Sequence, residues 1–253
     1  MDNHVHIVIP PEALHIINTL NAHGFEAYAV GGCVRDSILG RSPQDWDITT
    51  NAKPHQIKGI FEKTVDTGIK HGTVTVLVGE HSLEVTTYRI DGVYKDNRRP
   101  ETVRFTSSLA DDLKRRDFTI NSIAYHPVEG IVDPFDGLHD IERKVIRTVG
   151  DPDARFHEDA LRMLRAIRFS AQLDFEITEN TFESIKRNHH LIKNISQERI
   201  RDELTRLILS DHPLRMAQLR DAGILHHILP EFDVCFDITQ NHPYHIYNVG
   251  FHT

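Results

Sequence analysis

The chain has 253 residues, of which 39% are hydrophobic and 26% charged, a composition typical of a folded globular protein that excludes wholesale disorder. Its sequence contains no apolar run near the roughly 18 residues of a membrane span, and the start lacks the basic and apolar regions of a signal peptide. Two cysteines, Cys33 and Cys235, exclude a disulfide framework, so we expect a cytoplasmic protein.

The formal net charge is −8, which argues against a nucleic-acid partner until its distribution is considered. All 29 Lys and Arg residues lie between positions 35 and 220, and they are 20 Arg against 9 Lys. Arginine suits bidentate contacts with phosphates and base edges. Two interpretations stay open: solvated, salt-bridged helices, or a local arginine site within a nearly neutral region.

The first 150 residues mix short helices with strands. An amphipathic helix is predicted from Pro11 to the glycine at 24. In chain order, the sequence then predicts a strand at 25–30, a helix at 33–39, a strand at 45–49, a helix at 54–61, a hairpin of strands 72–78 and 83–89, a mobile loop at 90–102, a strand at 103–105 and a helical region at 108–125.

The strand signals fade after residue 150. Helices are predicted at 154–172, 178–193, 196–209 and 212–227. The chain is therefore predicted to have an α+β head followed by an all-helical section.

Two acidic residues end up on one side of the predicted strand 45–49. Side chains alternate across a strand, so Asp45 and Asp47 point the same way, while Trp46 and Ile48 face the core. Adjacent carboxylates repel, and a cation between them is the simplest explanation. An Asp-x-Asp sequence alone is weak evidence, because most such pairs are surface acids.

The surrounding sequence strengthens that interpretation. Gly32 follows a strand and opens a helix, where backbone amides can approach a phosphate, and Arg35 can add a charge-assisted bond. A third acid, Glu84, lies on a neighbouring predicted strand. A phosphate cradle, paired acids and a third acid in this order indicate two-metal nucleotidyl transfer.

Two further segments carry arginines. Arg115 and Arg116 are adjacent on a predicted helix and diverge by about 100°, so at most one of them is expected to enter a site. Surface charge is the alternative interpretation for both.

The predicted helix 154–172 presents a charged face opposite an apolar one. That charged face contains Glu158, Asp159, Arg162, Arg165 and Arg168. An exposed salt-bridge ladder is the alternative, but after a nucleotidyl-transfer pattern we favour recognition of a base and phosphates. Asp159 and Arg162, predicted to lie one turn apart, could address one base edge.

The 18 histidines look tempting as metal ligands. His189-His190 and His226-His227 are neighbours in sequence, and adjacent helical positions do not converge on one ion. We expect most histidines to lie on the surface.

Four ordered motifs resemble those of the class II tRNA nucleotidyltransferases, which include the bacterial CCA-adding enzymes and their poly(A) polymerase relatives. The motifs are Gly31-Gly32-Cys33-Val34-Arg35-Asp36, Asp45-Trp46-Asp47-Ile48-Thr49, Arg115-Arg116-Asp117-Phe118-Thr119-Ile120-Asn121 and Glu158-Asp159-Ala160-Leu161-Arg162. The resemblance covers most of residues 25–210. It implies a polymerase-β-like nucleotidyltransferase palm at 1–149, a helical neck at 150–211 and the start of a helical body, with a truncated HD-like segment, at 212–253.

The resemblance also implies roles. Asp45 and Asp47 would hold Mg²⁺, Glu84 would be the third catalytic carboxylate, and Gly32 and Arg35 would contact the nucleotide phosphates. The nucleotide site would further be lined by Arg116, Asp159, Arg162, Arg165 and Arg168. CTP and ATP would be the substrates, and the 3′ end of a tRNA would be the acceptor.

Two segments bear on the activity that the resemblance implies. Residues 91–100 resemble a flexible loop tied to the switch from C to A addition, which argues against a CC-only enzyme. Residues 240–253 look like the opening of an HD-type domain cut off before its His-Asp pair. The alternatives are a poly(A) polymerase or A-adding enzyme and, in a different class, an HD phosphohydrolase or a non-catalytic RNA-binding fragment.

Overall fold

The computed structural model describes residues 6–92, 94, 102–239 and 248–252, which fall into two compact units. The first, called the sheet unit, holds residues 6–92, 102–143 and 147–150; the second, called the helical unit, holds residues 94, 144–146, 151–239 and 248–252. Among these residues, none of the helices has the length and apolarity that a membrane crossing requires. The domain boundaries at 149 and 211 stay predictions.

The sheet unit surrounds one large mixed sheet. Its helices are α1 (Pro11–Ala22), α2 (Gly32–Ile38), α3 (Pro54–Ile60), α4 (Leu109–Lys114) and α5 (Gly137–Glu142). Its strands are β1 (Ala27–Val30), β2 (Ile48–Thr50), β3 (Thr64–Gly68), β4 (Thr73–Val78), β5 (His81–Thr87), β6 (Arg89–Asp91), β7 (Val103–Phe105), β8 (Ala124–His126) and β9 (Gly130–Val132). Seven strands form the sheet in the order β3-β4-β5-β2-β1-β8-β9, and β6 pairs with β7.

Strand register explains why distant acidic residues meet. β2 and β5 are parallel, with Ile48 opposite Val85. The residues before this pair, Asp47 and Glu84, therefore lie side by side. In β5, Leu83 and Val85 are buried while Glu84 is exposed, as the two-residue period of a strand requires.

The helical unit is built from short helices and one two-stranded pair. The strands are β10 (Val145–Ile146) and β11 (Glu176–Ile177), paired in parallel. The helices are α6 (Pro152–Glu158), α7 (Leu161–Leu173), α8 (Glu179–Asn188), α9 (Gln197–Ile208), α10 (Ala217–Asp221), α11 (Leu225–Ile228), α12 (Pro230–Cys235) and α13 (Val249–His252). α7 is the central helix, and most of its residues are buried.

Several predicted elements of the sheet unit are confirmed and others are wrong. The α+β class, α1 and β7 are as predicted. The β4–β5 hairpin forms as predicted, but its turn is the two-residue Gly79-Glu80, with Gly79 at φ 61°. The helical region predicted at 108–125 is wrong beyond α4, because it continues as a 3-10 turn and ends in β8.

The predicted long helices of the second half are interrupted. The helix predicted at 154–172 is two helices, since Asp159 has extended backbone (φ −141°, ψ 104°). That predicted at 212–227 is broken at Gly223, whose φ is 76°. The helix predicted at 178–193 ends as α8 at Asn188 and continues as a 3-10 segment.

Parts of two predicted segments lie outside the described residues. Of the loop predicted at 90–102, residues 93 and 95–101 are outside. Of the HD-like segment 240–253, residues 240–247 and 253 are outside. The loop prediction is wrong at residues 90 and 91, which belong to β6 and pair with β7. The rest of both assignments stays a prediction.

Candidate active site

Four carboxylates of the sheet unit line one cavity of about 600 Å³. Three of them, Asp45, Asp47 and Glu84, are the trio that sequence analysis proposed, and the fourth is Glu12. The prediction that Asp45 lies within a strand is wrong: β2 begins only at Ile48, so both aspartates sit on the segment that leads into it. The amide of Val30 on β1 donates to the carbonyl oxygen of Asp47 at 3.0 Å, which fixes that segment.

The carboxylates of this trio repel one another electrostatically. The Asp47 carboxylate is open to the cavity, yet surrounding protein atoms still exclude much of the water around it. This desolvation and the negative charge of Asp45 raise the pKa of Asp47, although the positive charge of Arg116 acts to lower it. The pKa of Glu84 is raised as well, mainly by partial burial and next by the negative charges of Asp47 and Asp45. A divalent cation bound here would relieve this repulsion.

The prediction that Trp46 faces the core is wrong. Its side chain is half-buried and lines the same 600 Å³ cavity as the three acids. The prediction failed because the alternation of faces holds inside a strand, and Trp46 precedes β2.

A second, smaller cavity of about 190 Å³ adjoins the acids. It is lined by Asp47 and Glu84 together with Arg89, Arg115 and Arg116. The expectation that only one of the two adjacent arginines enters a site is wrong: α4 ends at Lys114, so both arginines follow the helix and face the same cavity.

Asp112 anchors these arginines, and sequence analysis missed it. Its side chain is fully buried and pairs with Arg115 at 2.7 Å and with Arg116 at 3.3 Å. It also accepts a hydrogen bond from Thr49 on β2 at 3.1 Å. Burial acts to raise its pKa, but the two arginines outweigh burial and lower it. The spacing i, i+3, i+4 of Asp112 with the arginine pair was the available signal.

The glycine turn that precedes α2 brings Arg116 close to the backbone. Gly31 has φ 83°, and a Cβ built there would lie 3.2 Å from Nη1 of Arg116. A side chain at Gly31 would therefore be strained and would crowd this arginine. Gly32, the predicted phosphate contact, is the first residue of α2.

Arg35, the other predicted phosphate contact, is buried and held by protein groups. Its Nη1 donates to Oδ1 of Asn121 at 2.6 Å, and its Nε donates to Asp36 at 2.9 Å. Asn121 in turn donates to Asp117 at 3.1 Å. The Arg-Arg-Asp-Phe-Thr-Ile-Asn motif thus fixes the guanidinium of Arg35, and its role toward phosphates stays a prediction.

In the helical unit, Asp159 sits at the break between α6 and α7. Its Oδ1 accepts from the amide of Leu161 at 3.1 Å, and its carboxylate pairs with Arg199 of α9, with Nη2 of Arg199 2.8 Å from Oδ2. The prediction of a continuous helix through Asp159 is wrong, although the amide of Arg162 still donates to the carbonyl oxygen of Asp159 at 3.0 Å, one turn away. Arg199 was missed, because nothing in the local sequence connects α9 to this break.

Arg162 is nearly buried and pairs with Glu158 instead of Asp159. Its Nη1 donates to Oε2 of Glu158 at 2.6 Å and to the carbonyl oxygen of Arg155 at 3.2 Å. Arg155 also binds Glu158. The predicted charged face is therefore internally paired.

Arg165 and Arg168 share one partner from α9. Nε of Arg168 donates to Glu203 at 2.5 Å, and Nη1 of Arg165 lies 3.9 Å from the same carboxylate. The guanidinium of Arg168 also lies over the ring of Phe169, 3.9 Å from its centroid. Only Arg165 of these two keeps a partly exposed side chain, so the nucleotide role predicted for Arg168 would require it to act from a buried position.

Two histidines that were expected on the surface bridge separate segments. Nδ1 of His189 lies 2.8 Å from Nε2 of His227, and both side chains are half-buried. Burial is the first cause that lowers the pKa of each ring.

Within the described residues, no three His, Cys, Asp or Glu side chains are grouped so that they could enclose a metal ion. Mg²⁺, in contrast to ions held in protein cages, is usually bound by one or two carboxylates and completed by water and substrate phosphates. The oxygen donors of Asp45, Asp47 and Glu84, mutually repelling around one cavity, fit such an open site.

Comparison with known proteins assigns the family. Residues 27–147 match the family described as "Poly A polymerase head domain", and residues 174–236 match "Probable RNA and SrmB- binding site of polymerase A". The chain belongs to the class II tRNA nucleotidyltransferases. The resemblance and the polymerase-β-like fold predicted from the motifs are thus confirmed. Nucleotidyltransferases of this family use divalent metal ions.

Individual relatives are CCA-adding enzymes. The chain is 48% identical over 232 residues to that of Lactobacillus helveticus, covering 92% of this chain and 58% of the relative. A crystal structure of the Bacillus stearothermophilus CCA-adding enzyme in complex with CTP superposes with a TM-score of 0.79 at 44% identity, covering 85% of this chain and 53% of that one. The Thermotoga maritima CCA-adding enzyme complexed with tRNA(CCA) gives 0.72 at 26% identity, covering 93% and 55%. The chain therefore spans about half the length of the relatives it matches.

Proposed function

We propose that the protein containing this chain is a CCA-adding tRNA nucleotidyltransferase. It would transfer C and A residues from CTP and ATP, without a template, to the 3′ end of tRNA and release pyrophosphate. The observation that carries the proposal is the trio of Asp45, Asp47 and Glu84 around one cavity, beside an arginine-lined cavity. The relative solved with CTP and the relative solved with tRNA(CCA) support the choice of substrates.

The sheet unit's side chains divide the work of the transfer. Asp45 and Asp47, with Glu84, would hold Mg²⁺, which neutralises the triphosphate and acidifies the acceptor hydroxyl when it is bound. Arg116, placed by Asp112 and Gly31, would bind phosphate oxygens. The bond between O3′ of the acceptor and the α-phosphorus forms, the bridging bond to the β-phosphate breaks, and the hydroxyl proton passes to water.

The helical unit would read the base. In this proposal Asp159 accepts from an exocyclic amine and Arg162 donates to a ring nitrogen, a pattern that C and A share and that U and G reverse. Because Asp159 is bound by Arg199 and Arg162 by Glu158, each must exchange a protein partner for the base. Arg165 and Arg168 belong to the same proposed nucleotide site. A cytoplasmic location, where tRNA and nucleoside triphosphates occur together, is part of the proposal.

The test is one set of incubations. The chain is mixed with tRNA lacking its 3′ CCA, with Mg²⁺, and with each labelled nucleotide alone or with CTP and ATP together. CCA addition predicts C incorporation from CTP alone and a product three residues longer from both. Long tracts from ATP alone would indicate a poly(A) polymerase, a single A an A-adding enzyme, and no product with any nucleotide a non-catalytic fragment.

A further inference from the structure

Two cavities of the sheet unit meet at the same pair of carboxylates. The larger, about 600 Å³, and the smaller, about 190 Å³, both include Asp47 and Glu84 in their linings. Since these are two of the three proposed catalytic acids, the reacting phosphorus would lie where the cavities join. Both cavities therefore reach the proposed reaction centre.

The linings of the two cavities have opposite chemistry. The smaller contains Arg89, Arg115 and Arg116, which suit a polyanion. The described lining of the larger contains no Lys or Arg, and its one imidazole, that of His81, has Nε2 3.7 Å from a carboxylate oxygen of Glu12, which also lines the cavity. Besides the acids it offers the half-buried ring of Trp46 and the polar side chains of Gln44, Thr75 and Ser82. A triphosphate would be repelled there, whereas an uncharged base and ribose would not.

In-line displacement separates the two reactants. The attacking oxygen and the leaving group lie on opposite sides of the phosphorus. The arginine-lined cavity fits the leaving pyrophosphate, and so the attacking hydroxyl must come from the other side. We infer that the 600 Å³ cavity receives the 3′-terminal nucleoside of the acceptor RNA, whose base stacks on Trp46. This inference rests on the nucleotidyl transfer proposed above.

The volume of the cavity and the aromatic ring of Trp46 in its lining support this assignment. Ligand pockets typically measure about 300–1,000 Å³, so 600 Å³ suits one nucleoside. Stacking on an aromatic ring tolerates any base, as is needed for an acceptor whose end changes after each addition. The terminal phosphate would remain outside, away from the acids.

Trp46 is the only tryptophan of the chain, so its fluorescence reports this cavity alone. The probe is a short RNA hairpin with a single-stranded 3′ end, titrated with Mg²⁺ and without any nucleotide. Binding should quench the emission. The same RNA with an abasic 3′-terminal nucleotide should bind about tenfold more weakly or worse, and CTP alone should change the emission little. Equal quenching and affinity for both RNAs would overturn the inference.

Kinetics provide a readout that a structural role would not reproduce. Trp46→Ala should raise the KM for acceptor RNA about tenfold or more while the KM for CTP stays within twofold, and Trp46→Phe should restore most of the RNA affinity. Glu80→Gln is the matched control, because Glu80 is exposed, neighbours His81 and lines neither cavity. Thermal melting of each variant shows whether it is folded.

The outcomes separate this inference from the proposed function. Nucleotide incorporation by the unmodified chain, with an unchanged KM for RNA in folded Trp46→Ala, refutes the acceptor cavity and leaves the function standing. An equal rise in the KM for CTP and for RNA also refutes it. Absence of incorporation with every acceptor refutes the proposed function, and the inference falls with it.

Discussion

The carboxylates of the two units occupy opposite electrostatic surroundings. In the sheet unit, burial and the negative charge of neighbouring aspartates raise the pKa values of Asp47 and Glu84 around an open cavity. In the helical unit, Asp159 and Glu203 are each held by an arginine at 2.8 and 2.5 Å. The first arrangement is built to accept cations from outside. The second is already neutralised, so a ligand must compete with an internal partner.

This contrast has an energetic consequence for specificity. A base that binds Asp159 must replace the bidentate contact of Arg199, and a base that cannot complete the new pairing leaves buried polar groups unsatisfied. Each such group costs about 1–3 kcal/mol. Internal pairing thus penalises the wrong base without requiring any repulsive contact with it.

The largest expected effect comes from breaking the open site. Asp45→Ala or Asp47→Ala should lower nucleotide incorporation about a thousandfold or more, since several kcal/mol of charge stabilisation are lost at tenfold per about 1.4 kcal/mol. Asp66→Asn is the control, because Asp66 is an exposed residue of β3 paired only with Lys58 among the contacts described. Turnover near that of the unmodified chain in either alanine variant would contradict the metal assignment.

Substitutions in the helical unit should change the selectivity among the four nucleotides. Asp159→Ala should reduce discrimination against UTP and GTP by about 10- to 100-fold, and Arg162→Ala should slow C and A addition together, each by the cost of one unmet hydrogen-bonding group. Single-turnover incorporation of each of the four nucleotides measures this. Asp202→Asn serves as the control, since Asp202 is exposed and contacts Arg201. Unchanged selectivity in both alanine variants would mean that the base is read elsewhere.

A smaller effect tests the buried support of the sheet unit. Asn121→Ala removes an acceptor from the buried guanidinium of Arg35 and should destabilise the fold by about 1–3 kcal/mol. For a chain of this size the melting temperature should fall by about 2–10 °C. Asn51→Ala removes only an exposed hydrogen bond, to the amide of Glu26, and should shift it less. Equal shifts of the melting temperature would show that the buried Arg35–Asn121 hydrogen bond stabilises the fold no more than the exposed one does.

The sequence predicted the carboxylates of the sheet unit better than it predicted the ion pairs of the helical unit. Glu84 was identified from its place on a neighbouring predicted strand and from the order of the motifs, and β5 does lie beside β2. The break at Asp159 was not visible, because no Gly or Pro marks it and the apolar period from Phe156 continues across it. Asp112 escaped notice because one of its partners, Thr49, is 63 positions away and only the fold brings it near.

The smallest effect concerns stability without metal, where repulsion in the open site should be visible directly. The pKa of Asp47 is raised in the folded protein, so folding favours its protonated form, and the stability due to this group falls as pH rises from about 4. Asp47→Asn should therefore melt a few degrees above the unmodified chain at pH 7 in chelator, by about 1–4 °C. The difference should shrink as pH is lowered toward 4, where both forms are uncharged at this position.

Added Mg²⁺ should reverse the order, because only the unmodified site gains stability from binding the cation. Asp66→Asn, with its surface pair, should show neither the pH-dependent gain nor the reversal. Melting curves across pH in chelator and in Mg²⁺ measure both effects. If Asp47→Asn melts below the unmodified chain at pH 7 in chelator, the carboxylates do not repel one another as the geometry requires. The sheet unit would then lack the uncompensated negative charge that distinguishes it from the helical unit.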